Sequence, residues 1–424
     1  MDDYNVERSI RMEHYLTQIE INKVRHLSNI KINLQNDIRQ HLLLTGRNGC
    51  GKTSLLVSIC KYLKSINDGE LSKLKTDYIR YLLQSKKSFE NATTEKEKYE
   101  RKNDYKVWIN QISKYSDGLE LHFNKYEDLD EAYKGGNFII AYFPADRKTN
   151  IVRPKGVENI KLEEFYSLDA DPGTILLKYM VHLKTQQSYA RNEDDMENVE
   201  RIQKWFTRFE NALKKLFHDE TIKLEYNYRE YEFRIIEEGK EPFGFDQLSD
   251  GYSSVIHIVS DLILRMDKNW ILKESLSEYD VEGIVMIDEL ETHLHIELQK
   301  KILPFLTEFF PRLQFIVTTH SPYILNSISN AKAYDLEKQT ELENLSMYSS
   351  EDLAEAYFDV DEYSEYLKNK LKKYEELVWK TELSDEERAL RAELRFELND
   401  VSSEMTKEIK EIFDDIEMRR KSHG

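Results

Sequence analysis

Apolar and polar residues alternate through Ile19-Glu-Ile21 and again through Ile30-Lys-Ile32-Asn-Leu34, the period-two pattern of half-buried strands, with Lys23 to Asn29 between them. Two paired strands are expected. A compact apolar run, Leu42-Leu43-Leu44, then meets a glycine-rich turn, and Leu55, Ile59 and Leu63 follow at helical spacing within Ser54 to Leu63. This predicts strand, loop, helix. From about Asp68 to Tyr133 the chain is densely charged, with helical stretches such as Leu74 to Leu83 and few strand signals until Asn137-Phe-Ile-Ile-Ala-Tyr-Phe143. Such an insertion has room for a helical hairpin of about 40 Å per arm, far short of a long coiled-coil arm. Asp171 to Phe217 reads as helix, Ile222 to Ile236 as strand, and Gln247 to Met266 as a turn feeding a helix. Val281 to Ile287, Glu291 to Phe310 and Gln314 to Thr319 predict a β-α-β unit suited to a parallel sheet. Beyond Glu337 the chain turns helical and acidic, with Leu367, Leu371, Tyr374 and Leu377 at spacings of three and four. No internal repeat is visible.

Composition narrows the class. The 424 residues are 40% hydrophobic, 33% charged and 11% aromatic, as in a folded, helix-rich protein rather than a disordered or fibrous one. The net charge is −18, so the whole molecule repels a polyanion at long range, and DNA contact would require a local basic patch. Half of that excess lies between Glu351 and Gly424, where 13 Lys and Arg face 22 Asp and Glu, a pattern of a solvated helical surface or a docking site for a basic partner. Two cysteines, Cys50 and Cys60, are too few for a disulfide framework and fit a reducing compartment. The first residues carry no apolar core of a leader, and no run nears 18 apolar residues, so a cytoplasmic protein without membrane spans is expected.

The chemistry is concentrated in four places. Gly46-Arg-Asn48-Gly49-Cys50-Gly51-Lys52-Thr53 fits G-x-x-x-x-G-K-[ST] between a predicted strand and a predicted helix that Ser54 continues. There backbone N–H groups can close around a β-phosphate, Lys52 can neutralise the β and γ oxygens, and the Thr53 hydroxyl can ligate Mg²⁺. Gly283-Ile-Val-Met-Ile-Asp288-Glu289 is an apolar strand ending in two carboxylates. With a phosphate loop upstream, Asp288 suits a Mg²⁺ ligand, through water, and Glu289 a general base that polarises the attacking water. His320, in Thr318-Thr319-His320-Ser321-Pro322, falls at the C-terminal end of the next strand, 32 residues after Asp288, where it can bond a γ-phosphate. Leu248-Ser249-Asp-Gly251 precedes an apolar helix and could donate to phosphate, although a Ser-Asp-Gly turn capping a helix is the plain alternative.

In this order the four motifs resemble the heads of ABC-type ATPases. The resemblance covers about residues 10 to 335 and implies an α/β fold: a bilobed ABC-ATPase head with a mixed, largely parallel sheet, a helical insertion and a helical C-terminal tail. The corresponding divisions are 1–67 and 136–345 for the head, 68–135 for the insertion and 346–424 for the acidic tail. It further implies ATP and Mg²⁺ as cofactors, and a sandwich of two heads around two ATP molecules. In that sandwich Ser249 and Gly251 act across the interface, so the protein is at least a homodimer when ATP is bound. Ile19 to Ile30 before the loop, and Asp288-Glu-Leu-Glu-Thr-His-Leu-His295 followed by Gln299, are similar to the RecF/OLD-like branch. Gln247-Leu-Ser-Asp-Gly-Tyr252 and Ala141-Tyr-Phe-Pro-Ala-Asp-Arg147 resemble the ATPases that partner nucleases in bacterial antiphage systems, the PtuA subunits of Septu and their retron-linked relatives.

Departures from the pattern are informative. Tyr252 stands where many members carry Gln or Glu, and no clear glutamine loop is present; the segment ending at Arg147 is the place for that function. OLD nucleases carry a further metal-binding nuclease domain, whereas about 90 residues follow the head here. Asp359-Val-Asp361 lacks the upstream apolar strand, glycine and glutamate of such a site, so no nuclease activity of its own is expected. The leading expectation is a Mg²⁺-dependent ATPase of an antiphage system whose nucleotide state regulates a separate nuclease subunit. A repair-type ATPase clamping DNA through Lys86-Lys87 or Arg147-Lys148 is the alternative, and a transporter subunit is a weaker one.

Overall fold

In the computed structural model, which describes residues 13–147, 151–271, 281–342, 345, 353, 365–380, 382–401 and 413–420, the alternating N-terminal segment forms β1 (Leu16–Val24) and β2 (Leu27–Asn33). They pair antiparallel from Gln18↔Asn33 to Val24↔Leu27, so the connection shrinks from the expected seven residues to Arg25-His26. Next come β3 (His41–Thr45), buried along its whole length, and α1 (Lys52–Asn67). Leu55, Leu56, Ile59, Leu63 and Ile66 of α1 are buried, the stripe that the helical spacing requires.

The insertion begins with a short helical turn and a π-helical turn, Leu74–Tyr78, and continues as α2 (Ile79–Glu90) and α3 (Glu95–Ser113). Thr94 and Glu97 close a capping box at the start of α3. Trp108 meets Tyr81 at 4.7 Å between rings, and Phe89 stacks on Tyr105 at 6.5 Å, yet neither helix contains a buried residue. At 1.5 Å per residue the arms measure roughly 18 and 28 Å, shorter than expected. The reason is a strand the sequence reading passed over: β4 (Leu119–Phe123) pairs antiparallel with β1, returning the chain to the head well before Asn137.

After α4 (Leu129–Lys134), β5 (Phe138–Phe143) enters the central sheet. A helical pair follows, α5 (Leu176–Asn192) and α6 (Met196–Phe217), then the small antiparallel sheet β6 (Lys223–Asn227), β7 (Glu232–Ile236) and β8 (Phe243–Gly244). Helix α7 (Asp250–Ile271) is buried at every position from Ser254 to Asp267, a helix with no solvent face in that span. The β-α-β unit is β9 (Glu282–Ile287), α8 (Ile296–Phe309) and β10 (Leu313–Thr318). Helix α8 starts later than expected because Glu289 and His293 adopt positive φ, 46° and 65°, which a helix cannot accommodate.

The one-turn α9 (Pro322–Leu325), β11 (Ala331–Asp335) and β12 (Thr340–Leu342) complete this unit. The central sheet runs β12-β11-β3-β10-β9-β5, with all neighbours parallel except β12 against β11. The chain after Glu337 is therefore a strand before it turns helical. β3, β9 and β10 are buried on both faces, the signature of a parallel sheet covered on both sides.

The chain divides at Ser350, and Glu351–Gly424 is a second unit. It contains α10 (Glu365–Trp379), α11 (Asp385–Val401) and a helical stretch at 413–420, around a core of Leu371, Tyr374, Leu377, Leu394, Leu398, Phe413 and Ile416. Asp359, Asp361 and Lys148 lie outside the described residues. No helix among the described residues is long and apolar enough to cross a membrane.

Candidate functional site

Because β3, β10 and β9 are adjacent and parallel, the segments leaving their C-terminal ends share one edge of the sheet. The first is the phosphate loop between β3 and α1. Gly46, Gly49 and Gly51 have φ of +126°, +86° and +102°, a left-handed backbone that turns the loop tightly, with the Cys50 N–H donating to the Arg47 carbonyl and the Arg47 N–H to Glu337 Oε2, both at 3.2 Å. A Cβ on Gly46 would lie 2.8 Å from Cys50 Sγ, and one on Gly51 3.2 Å from His26 Cε1 and Leu27 Cδ1. Thus the tip of the β1–β2 hairpin lies against the loop, and His26 Nε2 bonds the Cys50 carbonyl at 2.9 Å. Lys52 is buried, its ammonium donating to the carbonyls of Gly46 (2.8 Å) and Arg47 (3.2 Å). Asn48 and Gly49 form the exposed crest, Thr53 is exposed in the first turn of α1, and Ser54 beside it is half-buried. Burial pushes the Cys50 thiol up despite neighbouring Lys52.

The second segment follows β9. Asp288 is buried, its N–H bonded to the Phe143 carbonyl at 2.8 Å, and Asp288 Oδ1 accepts from Thr318 Oγ1 at 2.5 Å. The same Thr318 oxygen accepts the Glu289 N–H at 2.7 Å. Glu289 stands at φ 46°, an unusual conformation for a non-glycine residue. Arg147 clamps the other side of the turn. Its guanidinium donates to the carbonyls of Asp288 (2.7 Å), Glu289 (3.1 Å) and Pro144 (3.1 Å) and to Ser254 Oγ (3.1 Å).

His320 follows β10. Its N–H donates to Glu291 Oε1 at 2.5 Å, while His320 Nε2 and Glu291 Oε2 are both buried without a partner among the described residues. Burial lowers the His320 pKa, with Lys52 adding to the effect, so the imidazole stays neutral and can bond a phosphate oxygen. The unpartnered His320 Nε2, close enough to Lys52 to feel its charge, fits a phosphate oxygen, whereas Glu291 Oε2 is an anionic acceptor and does not pair with one. Among the described residues no three His, Cys, Asp or Glu form a metal cage. A Mg²⁺ held by Asp288, the Thr53 hydroxyl and substrate phosphates needs none, because this ion keeps waters and is bound through few carboxylates.

Ser249 and Gly251 occupy the N-terminal end of α7. A Cβ on Gly251 would fall 2.7 Å from the His293 carbonyl, so this end abuts the turn that follows Glu289. The ring of Tyr252 stacks on Phe217 of α6 at 4.4 Å. The structure thus brings Lys52, Asp288, Glu289 and His320 to one sheet edge and sets Gly251 against the turn behind it, with Ser249 exposed beside it. Sequence reasoning assigned no role to Glu291 or Thr318, and it offered Arg147 as a contact for DNA, which the structure corrects: the side chain is buried and its donors are taken by Ser254 and the carbonyls of Pro144, Asp288 and Glu289. The third carboxylate, three residues after Asp288, was the available signal for Glu291; the contacts of Arg147, 141 residues away, left none.

Comparison with known proteins agrees with this geometry. The family described as "AAA domain, putative AbiEii toxin, Type IV TA system" matches residues 42–326. The chain is 24% identical over 351 residues to Septu protein PtuA of Bacillus mycoides, covering 81% of this chain and 43% of that protein. It is 34% identical over 96 residues to "Retron Ec83 probable ATPase" of Escherichia coli, covering 23% of this chain and 17% of that one. The chain therefore spans less than half the length of these relatives. Among solved structures, an SmcHead bound to the C-winged helix domain of ScpA matches 76% of this chain and 94% of its own, at 13% identity and a TM-score of 0.37. With the family match covering most of the head and its motifs at the sheet edge, the chain belongs to this AAA-domain family and is a nucleotide-binding ATPase domain.

Proposed function

We propose that this protein is a Mg²⁺-dependent ATPase of a bacterial antiphage system, in which ATP pairs two heads and its hydrolysis switches an associated nuclease. The observation that carries the reading is the convergence of Lys52, Asp288, Glu289 and His320 at the ends of three adjacent parallel strands. Backbone N–H groups of Gly49 to Thr53 and the Lys52 ammonium bind and neutralise the phosphates. Asp288 and Thr53 hold the metal, which when bound offsets charge on the β and γ oxygens. Glu289, aimed by its positive φ, accepts the proton of the attacking water; neutral His320 orients the γ-phosphate. Ser249 and Gly251 complete the second copy's site across the interface. Loss of the γ-phosphate removes the ligand that both heads share, which is the switch.

The relatives named for Septu and retron systems support the defence role, and the acidic unit after Ser350 offers a surface for a basic partner subunit. Lys86 and Lys87 are exposed on α2, as a DNA contact there would require. In the test, the tagged protein is expressed with its neighbouring genes and purified with and without ATP, as wild type and as Glu289→Gln. The expected result is a nuclease in the complex and an ATP-stabilised pair of heads that persists in Glu289→Gln. Full turnover together with no stable pair in that variant would overturn the mechanism. Recovery of the protein alone, with DNA-stimulated and steeply salt-dependent turnover, would favour a DNA clamp instead.

A further inference from the structure

We infer that Glu291 is a positioning residue: one of its carboxylate oxygens holds the main chain of His320 and so sets where that imidazole stands relative to Glu289. The inference rests on the reading of Glu289 and His320 given above and adds to it the group that fixes their spacing.

Strand β10 ends at Thr318 and α9 begins at Pro322, so the backbone between them depends on acceptors from elsewhere. Each N–H finds a different one. Thr319 donates to the Leu44 carbonyl of β3 at 3.0 Å, His320 to Glu291 Oε1 at 2.5 Å, and Ser321 to Thr319 Oγ1 at 2.9 Å. The Ser321 hydroxyl also donates to Gln299 Oε1 of α8 at 2.6 Å. Of the three main-chain bonds, the one at His320 is made to a carboxylate, and a charge-assisted bond is roughly twice as strong as a neutral one. It is also the one that reaches the turn after β9.

That turn is itself laced to the end of β10. Glu289 N–H donates to Thr318 Oγ1 at 2.7 Å, Leu290 N–H to the Thr318 carbonyl at 3.1 Å, and the Glu291 carbonyl accepts from Leu294 N–H at 2.8 Å. Glu289 and Leu290 thus hold one residue of the β10 exit, and Glu291 holds the residue two further on. Without the Glu291 bond, the turn 288–293 would be hydrogen-bonded to that exit at Thr318 alone among the described residues. His320 would then be held only through its neighbours.

The far ends of the two side chains tie this link to the site as well as to the fold. His320 Nε2 and Glu291 Oε2 are both buried without a hydrogen-bond partner among the described residues. A buried polar atom left unpaired is costly and calls for a reason beyond packing. Because Glu291 Oε1 takes the His320 main chain and not its ring, the imidazole keeps Nε2 for a ligand.

The test measures steady-state turnover and the binding of a fluorescent ATP analogue by the full-length protein. Glu291→Met removes the acceptor at similar volume. Glu291→Asp keeps the charge but falls one methylene short of the His320 N–H, and Glu291→Gln keeps an acceptor oxygen at full reach. The expected result is a roughly tenfold fall in kcat for Met and Asp, the scale of a small misplacement of a reacting group, with affinity for the analogue changed less than about twofold and Gln within about twofold of wild type. Rescue by Gln and failure of Asp separate positioning from charge. In a His320→Ala background, Glu291→Met should cost less than about twofold more, because a residue that acts through another has nothing left to position. Wild-type turnover in Met and Asp would overturn the inference. So would a Gln variant as slow as Met, or the full loss appearing again on top of His320→Ala. If Glu291→Met fails to fold, Asp against Gln decides the matter. Wild-type turnover in His320→Ala would remove the reading of His320 as the group that orients the γ-phosphate, and the inference with it; the other adverse outcomes leave that reading standing.

Discussion

The edge formed by β3, β10 and β9 and the hairpin of α2 and α3 are opposites in how their conformation is determined. At the edge, every residue of the three strands is buried, and side chains from distant segments meet in specific hydrogen bonds, as Thr318 does with Asp288 and Glu289. In the hairpin no residue is buried, the helices meet through ring contacts such as Trp108 on Tyr81, and exposed pairs such as Arg80 with Asp77 at 2.7 Å are local to one arm. Exposed ion pairs contribute about 0–1 kcal/mol each, so the hairpin's sequence is free to vary in a way that the edge's is not. Chemistry requires the first situation. Groups that must act together within tenths of an ångström are placed where packing leaves no alternative.

Breaking the edge should have the largest effects. Lys52→Ala is expected to reduce ATP turnover by about 10²–10³-fold, the loss typical of one electrostatic stabiliser of a developing charge, while circular dichroism stays native. Steady-state phosphate release measures it, and a variant within threefold of wild type would mean that Lys52 does not meet the phosphates. Leu44→Ala, under the same edge and fully buried, should lower stability by about 2–5 kcal/mol, read from urea unfolding. The corresponding change in the hairpin, Val107→Ser at a position 59% exposed, should stay within about 0.5 kcal/mol of wild type.

An intermediate effect tests whether burial alone explains the contrast. Asp267 of α7 is completely buried, and burial pushes its carboxyl up to about 7, against hydrogen bonds from Tyr179 and Trp205 that favour the charged form. A raised folded-state pKa means that protonation favours the folded state. The contribution is complete below the ordinary value of 3.8 and is lost as pH rises through about 7. Asp267→Asn should therefore flatten the stability profile between pH 4 and 7, with the gap between variant and wild type changing across that window. Parallel profiles would show that Asp267 does not titrate there.

The same contrast explains what could be read from the sequence. Leu42-Leu43-Leu44, the phosphate loop and Ile287-Asp288-Glu289 are contiguous, and their chemistry depends on local spacing, so strand, loop and carboxylates were all legible. Strand β4 was not, although Leu119-Glu-Leu-His-Phe123 alternates, because five residues beside a long charged helix give a weak signal and its partner β1 lies a hundred residues earlier. The tight Arg25-His26 turn was hidden for a related reason: Asn29, at φ 57°, resembles loop yet sits inside β2. Arg147 and Thr318 acquire their roles from contacts across the sheet, which no spacing along the chain encodes.

One feature of the sheet bears on how such proteins are assembled over evolutionary time. Strand β11, which hydrogen-bonds along β3 on the side away from β10, lies after residue 326, and the hairpin whose tip lies against the phosphate loop lies before residue 42. The stretch that carries the recognisable motifs is thus not a transferable module. Grafted alone, it would leave β3 with an open edge and the loop without its His26 neighbour, an invitation to aggregation. Recombination that preserves function has to move the motifs with both flanks, whereas the α2–α3 hairpin, which has no fully buried residue and touches the head's core through Ile112 near its base, can be exchanged, lengthened or lost as a cassette.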